Sequence, residues 1–514
     1  MFDIRSKTLA KNTLYLYIRM IFVLFVNLYA SRIILRVLGV DDFGIFNLVG
    51  SVVVFLGFFQ SALTNATYRF LAYELGAKNY DRLSLVYSMA INCHVLLALL
   101  LWAIMEIGGV WFINNKLVIP EGRLVAANWL YQFSLLTFVL SIIRTPYNSN
   151  IIAHEKMDFY AIISIIEAIL KLIILYVLSI SPFDKLISYG FLLSVVSALI
   201  LIFYIFYCKY RIQDTTYYKC WDLTLLKKFA TYSGWSLFVN TADMTTSQCI
   251  SVFFNWFVGI IANAAIGVMN QVNAGLNLFV NNFSQAFNPQ LIKSYAAKEY
   301  DYFMQLIFST SKISYILYLI VALPISLNIH YVLTLWLGEY PDLSPDFILA
   351  TLLYYLVDSM QSPLFNAVHA TGNIKYHHII VGTLKLLAIP CMYMVLRIGY
   401  SGVEALLIWS VSNVIVAIAR TIYMHHLINL DLKKYLTKVV LPLIALTCFL
   451  YPIEYLLVSS IEMPFLSLFV SVISSAILIL FFSIIFIFDN KERELLFSLP
   501  ILNKLKNKLS WMIR

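Results

Sequence analysis

Apolar runs of membrane-spanning length follow one another along this chain with only short connections between them. Fourteen are read: 12–35, 44–66, 85–107, 124–148, 159–180, 187–207, 230–257, 264–289, 304–327, 346–366, 377–396, 402–423, 438–458 and 464–488. Roughly 20 mostly apolar residues are needed for a helix to cross the hydrocarbon core. No water in that core satisfies backbone N–H and C=O groups, so segments of this length cross it as helices that bond internally. Composition agrees, with 61% hydrophobic residues, 12% charged residues and a mean hydropathy of +0.82. The expected fold is an all-α integral membrane protein of about 14 transmembrane helices. The connections are too short for a soluble domain. The charged N-terminus has no small-residue cleavage site after its first apolar run, so 12–35 reads as a retained span.

Lys and Arg placement orients the chain. With the N-terminus inside, Lys7, Lys11, Lys78, Arg82, Lys156, Lys209, Lys219, Lys227, Lys298, Lys375 and Lys434 fall in cytoplasmic connections. Only Arg36, Lys116, Arg123, Lys185 and Arg397 fall outside. An even number of spans puts both termini in the cytoplasm. The net charge of +9 is an orientation signal spread over many loops, which disfavours a nucleic-acid partner.

The chain also repeats. Ala77-Lys78-Asn79-Tyr80-Asp81 matches Ala297-Lys298-Glu299-Tyr300-Asp301 at a separation of 220, and Leu38-Gly39-Val40 matches Val258-Gly259-Ile260 at the same separation. Pro146, Ala153, Met157 and Phe159 match Pro363, Ala370, Ile374 and Tyr376 at 217. Each match falls in the same place of its half. The reading is two pseudo-symmetric six-helix bundles, 1–208 and 229–424, joined by a cytoplasmic linker, 209–228. Two extra spans lie in 425–488. A basic tail, 489–514, has leucines spaced for a helix lying on an anionic membrane surface. Parallel repeats of six spans suit alternating access, in which the halves rock about a central site.

Polar residues inside the spans are costly and mark that site. Segment 264–289 carries eight amide side chains. At about 100° per residue, Asn270, Asn273, Asn277, Asn281, Gln285 and Asn288 fall within a third of the helix circumference. A stripe of amides cannot face lipid. It faces water, a polar ligand or other helices, and amides both donate and accept the hydrogen bonds that sugar hydroxyls need. The first span adds Arg19, the second Asn47 and Asn65, and the seventh Asn240 and Asp243. By the repeat these are equivalent helices of the two halves, so they are expected to line one polar cavity. Lys385 in the eleventh span has no local partner and joins the cavity set. Glu167 and Lys171 are an i, i+4 pair. Asp243, Asp358 and Glu167 are the carboxylates available for ion coupling. Arg144, Lys312 and Arg420 lie near span ends and are expected to snorkel.

The remaining chemistry is plain. The six cysteines are scattered without metal spacing. The pairs His377–His378 and His425–His426 read as solvated residues at helix ends, because adjacent helical residues point about 100° apart and chelate poorly. There is no phosphate loop and no zinc motif, and the outside loops 108–123 and 328–345 are too short for a catalytic domain. The chain is read as a non-enzyme with no cofactor and no metal, which disfavours a membrane glycan polymerase or glycosyltransferase.

The run Arg36-Val37-Leu38-Gly39-Val40-Asp41-Asp42-Phe43-Gly44-Ile45 resembles the R-x-L-G…F/Y-G signature of polysaccharide-transporter flippases such as O-antigen flippases. Leu335-Trp336-Leu337-Gly338 and Arg69 with Gly76 are similar to that family too. The resemblance implies the multidrug/oligosaccharidyl-lipid/polysaccharide superfamily fold, with a cavity lined by spans one, two, seven and eight. It implies a bacterial inner-membrane protein that flips an undecaprenyl-pyrophosphate-linked oligosaccharide for surface polysaccharide synthesis, with Arg19 and Lys385 meeting the pyrophosphate. The expected partners are the lipid-linked glycan, membrane lipids and the glycan polymerase machinery. About fourteen spans depart from the commoner twelve of O-antigen flippases and match the peptidoglycan-precursor flippases, which leaves the exact cargo open. The second reading is a multidrug or small-solute antiporter on the same fold, whose cavity is expected to be more aromatic and acidic than the cationic and amide-rich set found here.

Overall fold

Each apolar run closes its own backbone hydrogen bonds, and the resulting helices account for nearly all of the structure. The computed structural model describes residues 2–54, 57–115, 119–489, 492 and 493, and no strand occurs among them. The helices are α1 Phe2–Val54, α2 Gly57–Gly76, α3 Tyr80–Asn115, α4 Leu124–Ala153, α5 Met157–Ile180, α6 Lys185–Arg211, α7 Leu223–Phe257 and α8 Ile260–Ala296. They continue as α9 Tyr300–Leu327, α10 Ile329–Leu337, α11 Ser344–Thr371, α12 Lys375–Ile398, α13 Gly402–Ile428, α14 Leu432–Tyr435, α15 Leu441–Ser459 and α16 Pro464–Phe482. Ten helical stretches among the described residues are long and apolar enough to cross a membrane. Four more, α2, α7, α8 and α11, are 20 to 37 residues long but carry much of the polar set. Ten and four give the fourteen spans expected.

The first two apolar runs are not separated by a loop. α1 runs through the first and into the second, which α2 continues, and breaks at Gly39, with φ 80° and ψ 172°. Gly259 separates α7 from α8 with φ 104° and ψ −178°. Only glycine adopts this backbone region readily. Nothing lies within 4 Å of where a Cβ would sit at either site, so conformation rather than crowding requires glycine. The repeat is therefore written in the backbone. Lys78 and Lys298 take left-handed φ of 55° and 59°, and Glu155 and Gly372, 217 apart, take 59° and 77°. Each of the first three closes a helix in the same way: Lys78 N–H bonds Leu75 O, Lys298 N–H bonds Tyr295 O, and Glu155 N–H bonds Ile152 O. α6 begins and ends at 185 and 211, and α13 at 402 and 428, again 217 apart.

The chain forms two compact units. One, the N-terminal unit, is Leu14–Leu237; the other, the C-terminal unit, is Met1–Thr13 with Phe238–Arg514. In the N-terminal unit α4 is central and packs against α2, α3 and α6. Leu130, Tyr131, Leu135 and Ile142 of α4 are fully buried. Gly190 lets α6 approach, since a Cβ there would sit 3.0 Å from Leu130 Cδ1. The connection before α7 is strapped to α3. Ser88 accepts from Tyr218 N–H at 3.1 Å, and Asn92 donates to Cys220 O at 2.8 Å. At the opposite end of the unit Arg123 grips Asp42 through Nε (2.8 Å) and a second nitrogen, and reaches Asp184 at 2.5 Å. Gly39 and Asp42 of the 36–45 run thus have structural roles.

In the C-terminal unit the repeat-equivalent helix α11 is central, against α8, α9 and α13. The extra helices α15 and α16 pack on α9. Asn328, just after α9, donates to Ser471 (2.9 Å) and accepts from Ser467 (2.6 Å). Of the basic tail 489–514, all but Asp489, Glu492 and Arg493 lies outside the described residues.

Candidate functional site

The amide stripe lies on α8 as its period requires, but the helix is rotated so that the stripe straddles two environments. Asn270 and Asn281 are exposed, beside Gly267, Gln271, Ala274 and Gly275. Asn277 and Gln285 are half-buried. Asn273 is 1% exposed, and its Nδ2 donates to Thr351 Oγ1 of α11 at 2.9 Å. Asn273 is therefore a packing residue rather than a cavity residue. The reason is angular: it stands about 60° from Asn270 on the side turned to α11. The exposed strip that remains is polar and small-sided apart from Leu278. A helix of spanning length cannot turn such a strip to hydrocarbon.

The other expected residues divide by unit. In the N-terminal unit Asn65 is exposed, and the side chain of Asn47 lies outside the described set. Arg19 is half-buried, with its guanidinium 4.5 Å from the centre of the Tyr160 ring. It has no carboxylate partner among the described residues, and its Nε is buried and unbonded. Nearby, Glu167 accepts from Lys171 at 2.8 Å and from Arg144 at 3.1 Å, one cation on each oxygen. The i, i+4 pair is present, but Arg144 does not snorkel; it completes a triad. Arg144 also sits 5.7 Å from the Tyr204 ring. Tyr160, on which Arg19 rests, and Glu167 lie two turns apart along one face of α5.

In the C-terminal unit Lys385 is not free. Its Nζ is 2.5 Å from Asp243 Oδ1, with the lysine side chain 14% exposed and the aspartate 45%. Packing of α7 beside α12 joins two residues 142 apart that sequence periodicity could not connect. Asn240, one turn away, is half-buried. Asp358 is half-buried and makes no ion pair among the described residues. Arg420 is 4% exposed rather than snorkelling, and its Nε donates to His377 Nε2 at 3.3 Å. His377 and His378 are each 1% exposed, which corrects the solvated reading; His425 and His426 are exposed as expected. Lys312 is also buried, held by Glu492 at 2.9 Å and Ile487 O at 3.0 Å. A sequence signal for Arg420 existed: Ser410, Asn413, Ala417, Arg420 and Met424 recur at helical spacing and are all buried. No group of His, Cys, Asp and Glu able to hold a metal occurs among the described residues.

The two clusters differ in sign. Lys385 and Arg420 face Asp243 and Asp358, which is electrically balanced. Among the described residues Arg144 and Lys171 share Glu167 and Arg19 has no carboxylate partner, an excess of two positive charges.

No protein-family model matches the chain, and no curated protein matches it. Solved structures do. A mutant of the Vibrio cholerae MATE transporter VcmN superposes with a TM-score of 0.70 at 16% identity, covering 83% of this chain and 98% of that one. An outward-facing multidrug resistance MATE family transporter of the MOP superfamily gives 0.66 at 12% identity, covering 84% and 97%. A MOP superfamily transporter from Pyrococcus furiosus, described as having a binding pocket of reversed polarity that suggests a different function, gives 0.68 at 12% identity, covering 84% and 97%. The fold is thus that of the MATE and MOP superfamily transporters: a multi-pass, all-α membrane fold.

Proposed function

We propose that this chain is a secondary transporter that carries a polar or amphiphilic solute across a membrane by alternating access. The observation that carries the reading is the exposed strip of Asn270, Gln271 and Asn281 on α8, a helix long enough to span. Such a strip is stable only against water or a polar cargo. The solved structures of this fold include a multidrug resistance transporter, which favours small-solute antiport, the second of the two readings drawn from the sequence. The charge excess of the N-terminal unit favours an anionic solute over a cationic drug. Among anions, a lipid-linked oligosaccharide would use both features, the cations for its pyrophosphate and the amides for its sugars. This flippase reading assigns the chain to a bacterial inner membrane with both termini cytoplasmic. Asp243 and Asp358 are the carboxylates for ion coupling. Glu167, with a cation on each oxygen, is not.

The test uses the purified full chain in proteoliposomes under imposed proton or sodium gradients, with a cationic dye, an anionic dye and a short-chain prenyl-diphosphate oligosaccharide as alternative cargoes. Movement of a dye alone supports small-solute antiport, and movement of the glycolipid alone supports flipping. Movement of none under either gradient overturns the transporter reading.

A further inference from the structure

We infer that Glu454 of α15, with Ser474 and Ser475 of α16, forms a site for one monovalent cation, a proton or a sodium ion. The site lies in the two helices outside the repeat and is independent of the transport reading above.

Burial and charge carry the inference. Glu454 is fully buried within a helix of spanning length. Its Oε2 accepts from Ser474 Oγ at 2.8 Å, and its Oε1 is buried with no hydrogen-bond partner. Ser475, one residue on, is fully buried too and supplies a further unbonded hydroxyl. A carboxylate taken out of water needs a counter-charge or several donors. Glu454 has one donor, and that donor is shared. Ser474 Oγ also lies 2.8 Å from Val470 O, and a serine has a single hydroxyl hydrogen to give.

No protein cation supplies the missing charge among the described residues. α15 packs against α9, α16 and the segments 436–440 and 483–487. Neither α16 nor 483–487 contains a titratable residue. Segment 436–440 has Lys438, which is exposed, pairs with Asp489 at 3.7 Å and stands about 24 Å from Glu454 along the helix. On α9, Lys312 is committed to Glu492 and Ile487 O. Tyr315 of α9 meets Thr447 of α15 at 2.7 Å, and that register puts Lys312 about 15 Å from Glu454. Tyr318 is a buried neutral phenol, and Tyr300, Asp301 and Tyr302 lie at the far end of α9. On α15 itself Cys448, Tyr451 and Tyr455 are exposed and uncharged. Glu462, in the turn before α16, is exposed and of the same sign.

One monovalent cation supplies what is missing. A proton on Glu454 makes the carboxyl a donor to Ser474 Oγ, which then passes its own hydrogen to Val470 O. A sodium ion on the carboxylate and the serine oxygens leaves that hydrogen on Val470 O equally well. A divalent ion would instead leave an unbalanced positive charge. Glu454 stands about 7 Å from the Ser459 end of α15, so the path from water is short.

The experiment compares the full wild-type chain with Glu454→Gln, its neutral isostere, by reversible unfolding in mixed micelles. It runs from about pH 5 to about pH 9, in choline chloride and in sodium chloride at equal ionic strength. All other titrating groups are common to the two chains, so their difference isolates Glu454. If the cation is a proton, the folded chain keeps it while the unfolded chain releases it above about pH 4.3. The unfolding constant of wild type relative to Glu454→Gln then rises with pH by up to about tenfold per unit, alike in both salts. If the cation is sodium, the salts diverge at the alkaline end. Each tenfold rise in sodium then lowers the relative unfolding constant of wild type by up to about tenfold. Either pattern supports the site. Parallel curves for wild type and Glu454→Gln in pH and in both salts overturn it. The inference also requires that a neutral side chain be tolerated, so Glu454→Met is made beside Glu454→Gln. Failure of both to yield monodisperse protein would mean that the fold needs the charge itself, and this too overturns the inference.

Discussion

Asn273 and Thr351 offer a sharp test of how α8 divides its amides between packing and cavity. Asn273 Nδ2 donates to Thr351 Oγ1 at 2.9 Å, and Thr351 passes its own hydroxyl hydrogen to the backbone of α11, with Phe347 O at 3.0 Å and Ile348 O at 2.9 Å. Asn273 Oδ1 is buried with no partner. The two ends of the bond are therefore unequal. Thr351→Val keeps the shape but strands a buried amide at both its atoms, and should cost about 1–3 kcal/mol. Asn273→Leu removes an oxygen that was already unsatisfied and leaves Thr351 bonded to its own helix. Interhelical bonds in membranes average about 0.6 kcal/mol, so this change should cost no more than about 1 kcal/mol. Because the double substitution removes both partners, it should restore stability to near that of Asn273→Leu alone. Reversible unfolding in mixed micelles, followed by tryptophan fluorescence, measures all three. Thr351→Val no costlier than Asn273→Leu would refute the reasoning. So would Asn273→Cys reacting with a water-soluble maleimide as fast as Asn270→Cys. Transport should follow exposure: Asn270→Leu and Asn281→Leu reduce it, and Asn273→Leu leaves it unchanged.

Three other outcomes follow from asymmetries of the same kind. Asp243→Asn leaves the mostly buried ammonium of Lys385 unpaired and should destabilise by about 3 kcal/mol. Lys385→Met leaves a half-exposed carboxylate and should cost about 1 kcal/mol or less, so equal losses in detergent melts would mean the pair is hydrated on both sides. Gly39→Ala and Gly259→Ala should each lower stability by about 1–3 kcal/mol, because alanine resists both backbone conformations. Gly267→Ala, inside α8 with open space around it, should be neutral or stabilising, and a loss there as large as at Gly259 would contradict the backbone argument. At the Arg123 grip, burial pushes the Asp184 carboxyl up, but hydrogen bonds from Arg123, Ile187 N–H and Leu186 N–H outweigh it and hold it below the ordinary value. A carboxyl held low stabilises the fold above its unfolded pKa, and that contribution fades as pH falls through the folded value. Melting temperature should therefore drop more steeply below about pH 4 in wild type than in Arg123→Gln. Parallel pH profiles would show that Arg123 does not hold the carboxylate.

The sequence by itself determined the class, the span count and the internal repeat. Each rests on a local rule: hydrocarbon forces about 20 apolar residues into a helix, and a left-handed backbone selects glycine or a chain reversal at fixed places. Hence the matched pairs Gly39 and Gly259, and Lys78 and Lys298, were legible as letters before they were seen as dihedral angles. Periodicity also placed six amides on one face of α8. What it could not supply was the direction of that face. A rotation about the helix axis changes no local interaction, so only the neighbouring α11 decided that Asn273 is packed and Asn270 is open. The same holds for charge. Lys385 has no partner within reach along its own helix, and pairing it with Asp243, 142 residues away, required the two helices to lie side by side. Arg144, read alone, resembled a snorkelling residue; beside Glu167 it became part of a cluster with excess charge. Electrostatic partners are properties of distance in space, and in a bundle of long helices sequence distance says little about it.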